Sequence, residues 1–159
     1  MAPALILAYW WLPPAKPDLF ASAVAQYELA TTDQLVFTYV LRDPRKLEQA
    51  FNASGQLDFS THVLDFRSFG YRIRGGNIVR LHGHPTAVTV YRRPEADLVC
   101  LRQHGALPSL PPGAMQIGRD LVYTYEQYTV LVIPEADLFC LLVSRLPCDT
   151  FLRTFGYRS

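Results

Sequence analysis

The sequence predicts an α+β domain, in which an antiparallel sheet of about six to eight strands packs with helices near the start, middle and end of the chain. Short apolar runs with alternating residues follow one another through its second half, separated by turn-forming residues. The loop sequence Pro-Glu-Ala-Asp occurs twice, at 94–97 and 134–137, each time between two strand-like runs. Helical apolar spacing is found after Pro17, after Asp43 and after Asp149. Together these patterns indicate similar hairpins in one sheet, flanked by helices.

Size and composition indicate a single globular domain. At 159 residues, a domain buries roughly two thirds of the surface of its unfolded chain. The formal net charge of +1 does not favour a nucleic-acid partner. Three cysteines are an odd number, so a disulfide framework is not predicted. Cys100 and Cys140 occupy equivalent places in the two hairpins, and we expect them to be neighbouring buried thiols in preference to a disulfide.

The N-terminal apolar run, from Ala4 to Leu12, leaves two interpretations open. It has about half the length that a membrane-spanning helix needs, and it lacks the basic start of a signal peptide. It is either a core strand or packed arm, or the exit end of a membrane anchor with Trp10 and Trp11 in the interface. We therefore divide the chain into an apolar arm or anchor remnant over 1–16 and a single α+β domain over 17–159.

The first two helices have recognisable ends. Apolar residues recur at helical spacing over 17–30, with Pro17 expected in the first turn. Asp43 followed by Pro44 is typical of a helix start, and Ser54-Gly55 is expected to end this second helix.

Strands are predicted over 35–41 and 62–67, before a central meander. In that meander, Gly75-Gly76-Asn77 is expected to form a tight turn, and residues 82–85 to turn the chain again before a strand at 87–91. The remaining strands are predicted over 98–101, 121–125, 128–133 and 138–143.

Two further features belong to the C-terminal half. Residues 105–118 are rich in proline and glycine, without regular periodicity, and are predicted to form a long loop. Asp149 is expected to cap a last helix that Gly156 ends.

Few residues suggest chemistry. His82 and His84 lie two residues apart, but a metal needs three or four converging ligands, so neither a metal site nor a cofactor is predicted. The carboxylates of the two Pro-Glu-Ala-Asp loops are expected to be solvated turn residues. The chain contains no phosphate-binding glycine loop, nucleophile elbow or zinc-protease helix motif. These features favour a binding module over an enzyme.

The order of landmarks resembles the membrane-distal domain of bacterial transmembrane anti-sigma factors. Residues 20–34, Arg42-Asp43-Pro44 and residues 55–59 follow the family's order. In the family an extended Gly-aromatic segment with a Gly-Gly pair precedes a Pro-x-Ala strand ending in Tyr-Arg, and residues 70–78 and 85–92 are similar to that pattern. The likeness covers roughly residues 19–155. The family's His-x-x-x-Cys-x-x-Cys zinc helix is missing, and Arg145 stands where the family has an acid.

This resemblance implies a non-enzymatic, extracytoplasmic sensor or partner-binding module that regulates transcription indirectly through a sigma factor. It implies a periplasmic or membrane-anchored location and a protein partner, with a cytoplasmic location left open. The alternative is a small-ligand-binding or enzymatic domain, with the loop 105–118 as a lid over a pocket lined by His82, His84 and His104. Trp10 and Trp11 are candidate contacts with a partner or with a second copy in a homodimer.

Overall fold

A computed structural model describes residues 18–107 and 112–157. It confirms the α+β fold, with a seven-stranded antiparallel sheet and three helices. The helices are α1 (Leu19–Thr31), α2 (Pro44–Ala53) and α3 (Cys148–Thr154), with a 3-10 turn at Arg67–Phe69. The strands are β1 (Arg72–Leu81), β2 (His84–Arg92), β3 (Leu98–His104), β4 (Met115–Ile117), β5 (Asp120–Tyr125), β6 (Tyr128–Glu135) and β7 (Leu138–Ser144).

The strand order is β1-β2-β3-β7-β6-β5-β4, so two local meanders join where β3 pairs with β7. Side chains alternate between the two faces of the sheet, and each face has its own apolar core. On one face, α1 packs through Phe20, Ala23 and Tyr27 against the valines and leucines of the central strands. On the other face, α2 and α3 pack through Leu47 and Phe51, and through Phe151 and Leu152.

The helix ends agree with the sequence at two places and differ at two others. Asp43 Oδ1 accepts a hydrogen bond from the Lys46 amide at 3.0 Å, which confirms it as the cap of α2. Asp18 caps α1 in the same way, so that helix begins at Leu19, two residues later than predicted, and Pro17 lies outside the described residues. The predicted cap at Asp149 is wrong, because Pro147 holds the cap position and Asp149 lies in the first turn of α3. Gly156, with φ of 78°, follows the end of α3 as predicted.

The predicted turn at Gly75-Gly76-Asn77 is wrong, because β1 runs straight through these residues. The glycines instead allow close packing: a Cβ on Gly75 would lie 2.7 Å from the Phe37 ring, and one on Gly76 would lie 2.5 Å from the Phe51 ring. The chain turns at His82 and Gly83, where φ is 53° and 80°. Both values are positive, as a two-residue hairpin turn of the primed type requires.

Three other segments differ from the prediction. Residues 35–41 do not form a strand; they make one isolated bridge to β1, through Tyr39 and Gly76. Residues 62–67 contain no strand, since the chain there is irregular up to the 3-10 turn. The predicted loop over 105–118 contains the short strand β4.

The predictions for the apolar arm, including those for Trp10 and Trp11, lie outside the described residues. Among the helices that the structure does describe, none has the length and apolar character needed to cross a membrane.

Candidate functional site: an arginine-lined groove at the start of β1

A groove of about 1590 Å³ lies where β1 begins and β2 ends. Segment 37–44 forms one of its walls and the loop 93–97 forms another. Seven arginines line it, although the whole chain has only 15 basic residues. They are Arg42, Arg67, Arg72, Arg74, Arg92, Arg93 and Arg145. We call this feature the arginine groove.

Secondary structure brings these arginines together from distant parts of the chain. Arg72 and Arg74 are the first and third residues of β1. Arg92 is the last residue of β2 and pairs with Arg72 in the ladder. A bulge between Ile73 and Gly75 changes the register of β1 at Arg74. Arg74 thereby reaches the end of α1, where it donates to the Ala30 carbonyl at 3.0 Å.

Carboxylates neutralise part of the charge of the groove. Arg74 pairs with Asp33 at 2.8 Å, Arg67 with Asp65 at 2.6 Å, and Arg93 with Glu95 at 2.7 Å. The hydrogen bond from the paired arginine lowers the pKa of each of these carboxyls below its ordinary value. All three acids are therefore ionised at neutral pH.

Two arginines keep their charge without a carboxylate. Within the described residues, neither Arg42 nor Arg72 has a salt bridge or side-chain hydrogen bond, and both are exposed. Arg72 also stands directly opposite Arg92 in the β1–β2 ladder. Arg92 is already paired with Asp97 at 3.3 Å and lies 3.8 Å from Asp33, so the charge left for an anion at this position is that of Arg72.

The groove also contains an unpartnered hydroxyl. Tyr71 is 1% exposed, and its hydroxyl has no hydrogen-bond partner in the described part of the chain. The Arg93 guanidinium carbon lies 5.6 Å from the centre of its ring. Burial raises the pKa of Tyr71, so the hydroxyl keeps its proton and is available as a donor. A buried polar group without a partner carries a free-energy cost that a ligand acceptor would remove.

The three candidate histidines do not converge on this groove or on one another. His82 lies on the α1 face, with Nε2 2.9 Å from Ser22 Oγ. His84, at the start of β2, is exposed. His104 lies on the opposite face, between Asp58 and Asp137, with its ring centre 6.4 Å from that of Phe59. The described residues also contain no cluster of three or more His, Cys, Asp or Glu side chains placed to hold a metal ion.

The two cysteines of the repeated hairpins are neighbours, as the sequence suggests. Cys100 Sγ and Cys140 Sγ are 3.1 Å apart, and both side chains are buried and free. The hydrogen bond with Cys100 and burial raise the pKa of the Cys140 thiol well above its ordinary value, so this thiol stays protonated. Arg102 lies close by, with its side chain 4% exposed; it pairs with Glu135 and donates to the His62 carbonyl at 2.7 Å.

Sequence reasoning missed the arginine groove because its cations come from separate stretches. A usable signal was nevertheless present: Arg72 and Arg74 lie at the start of the first strand of the hairpin, and Arg92 and Arg93 lie at the end of its second strand and directly after it. An antiparallel hairpin places such flanking residues side by side. The mistaken turn at 75–77 concealed that register.

No protein-family model, curated protein or solved structure matches this chain. The resemblance to the anti-sigma domain therefore rests on the sequence landmarks alone.

Proposed function

We propose that this chain is a non-enzymatic partner-binding module and that the arginine groove is its recognition surface. The module acts as an extracytoplasmic sensor, similar in role to the periplasmic domain of a transmembrane anti-sigma factor. In this role it regulates transcription indirectly, through a periplasmic or membrane-associated protein partner and not through nucleic acid.

The observation that carries the binding role is the positive charge that remains in the groove after five of its arginines have paired with carboxylates. Seven arginines meet in one concave surface of a chain whose formal net charge is only +1. Two of them, Arg42 and Arg72, have no partner among the described residues, and the buried Tyr71 hydroxyl beside them has none either. Arginine forks bind carboxylates and phosphates in a directional way, so such a surface is suited to recognition of an anionic partner.

The sensor role and the location rest on the sequence resemblance. Its landmarks run from residue 19 to residue 155, which covers the helices and the sheet. The α+β architecture of the chain is compatible with this assignment. Location can be tested separately from binding.

Fractionation tests the location. We expect the native gene product, carrying a C-terminal tag, to be recovered with the membrane or periplasm of its source cells. In intact spheroplasts, Cys148, which is partly exposed, should react with a membrane-impermeant thiol reagent. Denatured samples control for the buried Cys100 and Cys140. Recovery only in the cytosol would reject the sensor role and leave the binding role to be tested.

Site-specific photocrosslinking tests the recognition surface. A photoreactive amino acid in place of Arg42 lies in the groove. The matched control replaces Arg80, an exposed arginine near the opposite end of β1 and outside the groove. We expect a discrete crosslinked product from position 42 and none from position 80 in intact cells. Equal products at both positions, or none at position 42, would contradict recognition through the groove.

A further inference from the structure

We propose that the arginine groove takes an extended acidic peptide segment of a protein partner, which adds to the sheet as a strand beside β1. This inference rests on the proposed binding role and specifies its ligand. Four features of the groove support it: a free strand edge, access to both faces of that edge, unbalanced positive charge, and size.

Among the described residues, the start of β1 presents a free edge. β1 is the terminal strand of the sheet that these residues form, and its ladder is with β2 on one side. On the other side, segment 35–41 reaches it through two backbone hydrogen bonds between Tyr39 and Gly76, of 2.9 and 3.1 Å. No backbone hydrogen bond on that side reaches 72–75 from any described residue. Unpaired edges of this kind accept an added strand.

The groove extends around this edge onto both faces of the sheet. Arg74 and Asp33 lie on the α1 face, whereas Tyr71 and Arg93 lie on the face covered by α2 and α3. The polar and charged side chains on both faces are therefore within reach of a ligand that lies along the edge. An added strand sends alternate side chains to opposite faces, so it would reach both sets of groups.

The charge of the groove selects acidic side chains. A carboxylate beside Arg72 would pair with a guanidinium that has no carboxylate among the described residues, whereas Arg92 opposite it is already paired with Asp97. A carboxylate on the other face would accept a hydrogen bond from the Tyr71 hydroxyl next to Arg93. Phe37 and Val40 line the same wall, with Val40 70% exposed, so apolar residues between the acids also find contacts.

Size distinguishes a peptide from a small ligand. Pockets for drug-sized molecules usually measure about 300–1,000 Å³. The arginine groove, at about 1590 Å³, is larger than this range. A strand of about six residues spans roughly 20 Å, which suits a groove of this volume better than a drug-sized molecule does.

The first experiment measures binding of a fluorescent, end-blocked peptide of about six residues in which pairs of adjacent glutamates alternate with single valines, so that carboxylates point to both faces of the added strand. We expect saturable binding to the full chain by fluorescence anisotropy. A peptide with glutamine in place of glutamate tests charge. An equally acidic peptide with a central proline tests backbone pairing, because proline cannot donate to the ladder. Both control peptides should bind at least about tenfold more weakly, the loss expected for one charged hydrogen bond.

Amide hydrogen exchange gives a second readout, which ion pairing through side chains alone would not change. Pairing of the peptide with the edge should slow exchange of outward-facing amides within 72–75, with no change in the β6–β7 hairpin. The variant Arg72→Gln should weaken binding about tenfold. Arg80→Gln, an exposed arginine on the same ribbon outside the groove, should leave binding unchanged.

The outcomes separate this inference from the proposed function. If inorganic phosphate binds the chain and Arg72→Gln weakens that binding, while the acidic peptide fails to bind, the groove binds anions but the peptide inference is overturned. Equal binding of the proline peptide, or unchanged exchange at 72–75, also overturns strand addition. If neither peptide nor phosphate perturbs the groove and crosslinking at position 42 fails as well, the proposed function falls with the inference.

Discussion

The two Pro-Glu-Ala-Asp segments have the same sequence, but the less exposed acid is the aspartate in the first segment and the glutamate in the second. At 94–97 the aspartate is protected: Asp97 is 9% exposed and contacts Arg92 at 3.3 Å, while the Glu95 side chain is 55% exposed. At 134–137 the Asp137 side chain is 75% exposed, whereas Glu135 pairs with the buried Arg102.

The flanking strands account for this difference. β6 continues to Glu135, which pairs with Leu138 across a two-residue turn, so strand alternation directs Glu135 to the face of Arg102. β2 ends earlier, at Arg92, and the chain takes an irregular path before β3 begins at Leu98. The comparison teaches that the residues before a loop decide which of its acids is buried.

The largest expected difference between the two segments is at the glutamates. Glu135→Gln would leave the buried Arg102 cation without its carboxylate, and Arg102 Nε is already unpartnered among the described residues. Because Glu135 is itself one third exposed, we expect a loss of about 2 kcal/mol in the free energy of unfolding, less than for a fully buried pair. Glu95→Gln breaks only an exposed surface pair and should leave the free energy of unfolding almost unchanged. Urea denaturation of both variants would measure this, and equal losses would refute the contrast.

At the aspartates we expect a smaller difference in the free energy of unfolding, and here the substitution in the first segment is the more destabilising one. Asp97→Asn removes a nearly buried carboxylate from Arg92, whose side chain is half exposed, and should cost about 1 kcal/mol. Asp137→Asn should have no measurable effect on stability, because both Asp137 and its neighbour His104 are exposed. The same denaturation series gives both values. A greater loss at Asp137 would show that the loop sequence, and not its surroundings, sets the role.

The smallest effect is expected in acid. The Arg93 hydrogen bond lowers the pKa of Glu95 below its ordinary value of 4.5, so the folded state binds this proton less readily than the unfolded state. The stability from this pair is therefore fully present above the ordinary pKa and is lost as the pH falls through the lowered one. We expect the Tm to decline below about pH 4.5, and Glu95→Gln to reduce that decline slightly. An unchanged acid profile in Glu95→Gln would contradict the assignment.

Much of the fold could be predicted from the sequence where local signals and tertiary packing agree. Asp43-Pro44 marks the start of α2, and alternation marks β2, β3, β6 and β7. Prediction failed where one residue type has two uses. Gly75 and Gly76 suggested a turn, yet they are needed because the rings of Phe37 and Phe51 pack against a continuous strand. Residues 35–41 have strand-like composition, but they make only one bridge to β1.

Less of the candidate site could be predicted. His82 and His84 were predicted to line a pocket with His104 because they lie close together in the sequence. In the structure, His82 and His104 lie on opposite faces of the sheet. The arginine groove depends on the register between β1 and β2, and on a segment that joins β1 only at Tyr39. Such a site is a property of tertiary arrangement, and single arginines in a sequence carry little information about it.

The order of strands has a consequence for how the chain folds. Every ladder in the sheet joins strands that are neighbours in the chain, except the one between β3 and β7. Each three- or four-strand meander can form from short-range contacts, whereas this seam requires closure of a much longer loop. Cys100 and Cys140, 40 positions apart in the chain, meet at the seam. Burial of these two thiols therefore reports formation of the β3–β7 ladder, the pairing that joins the two meanders.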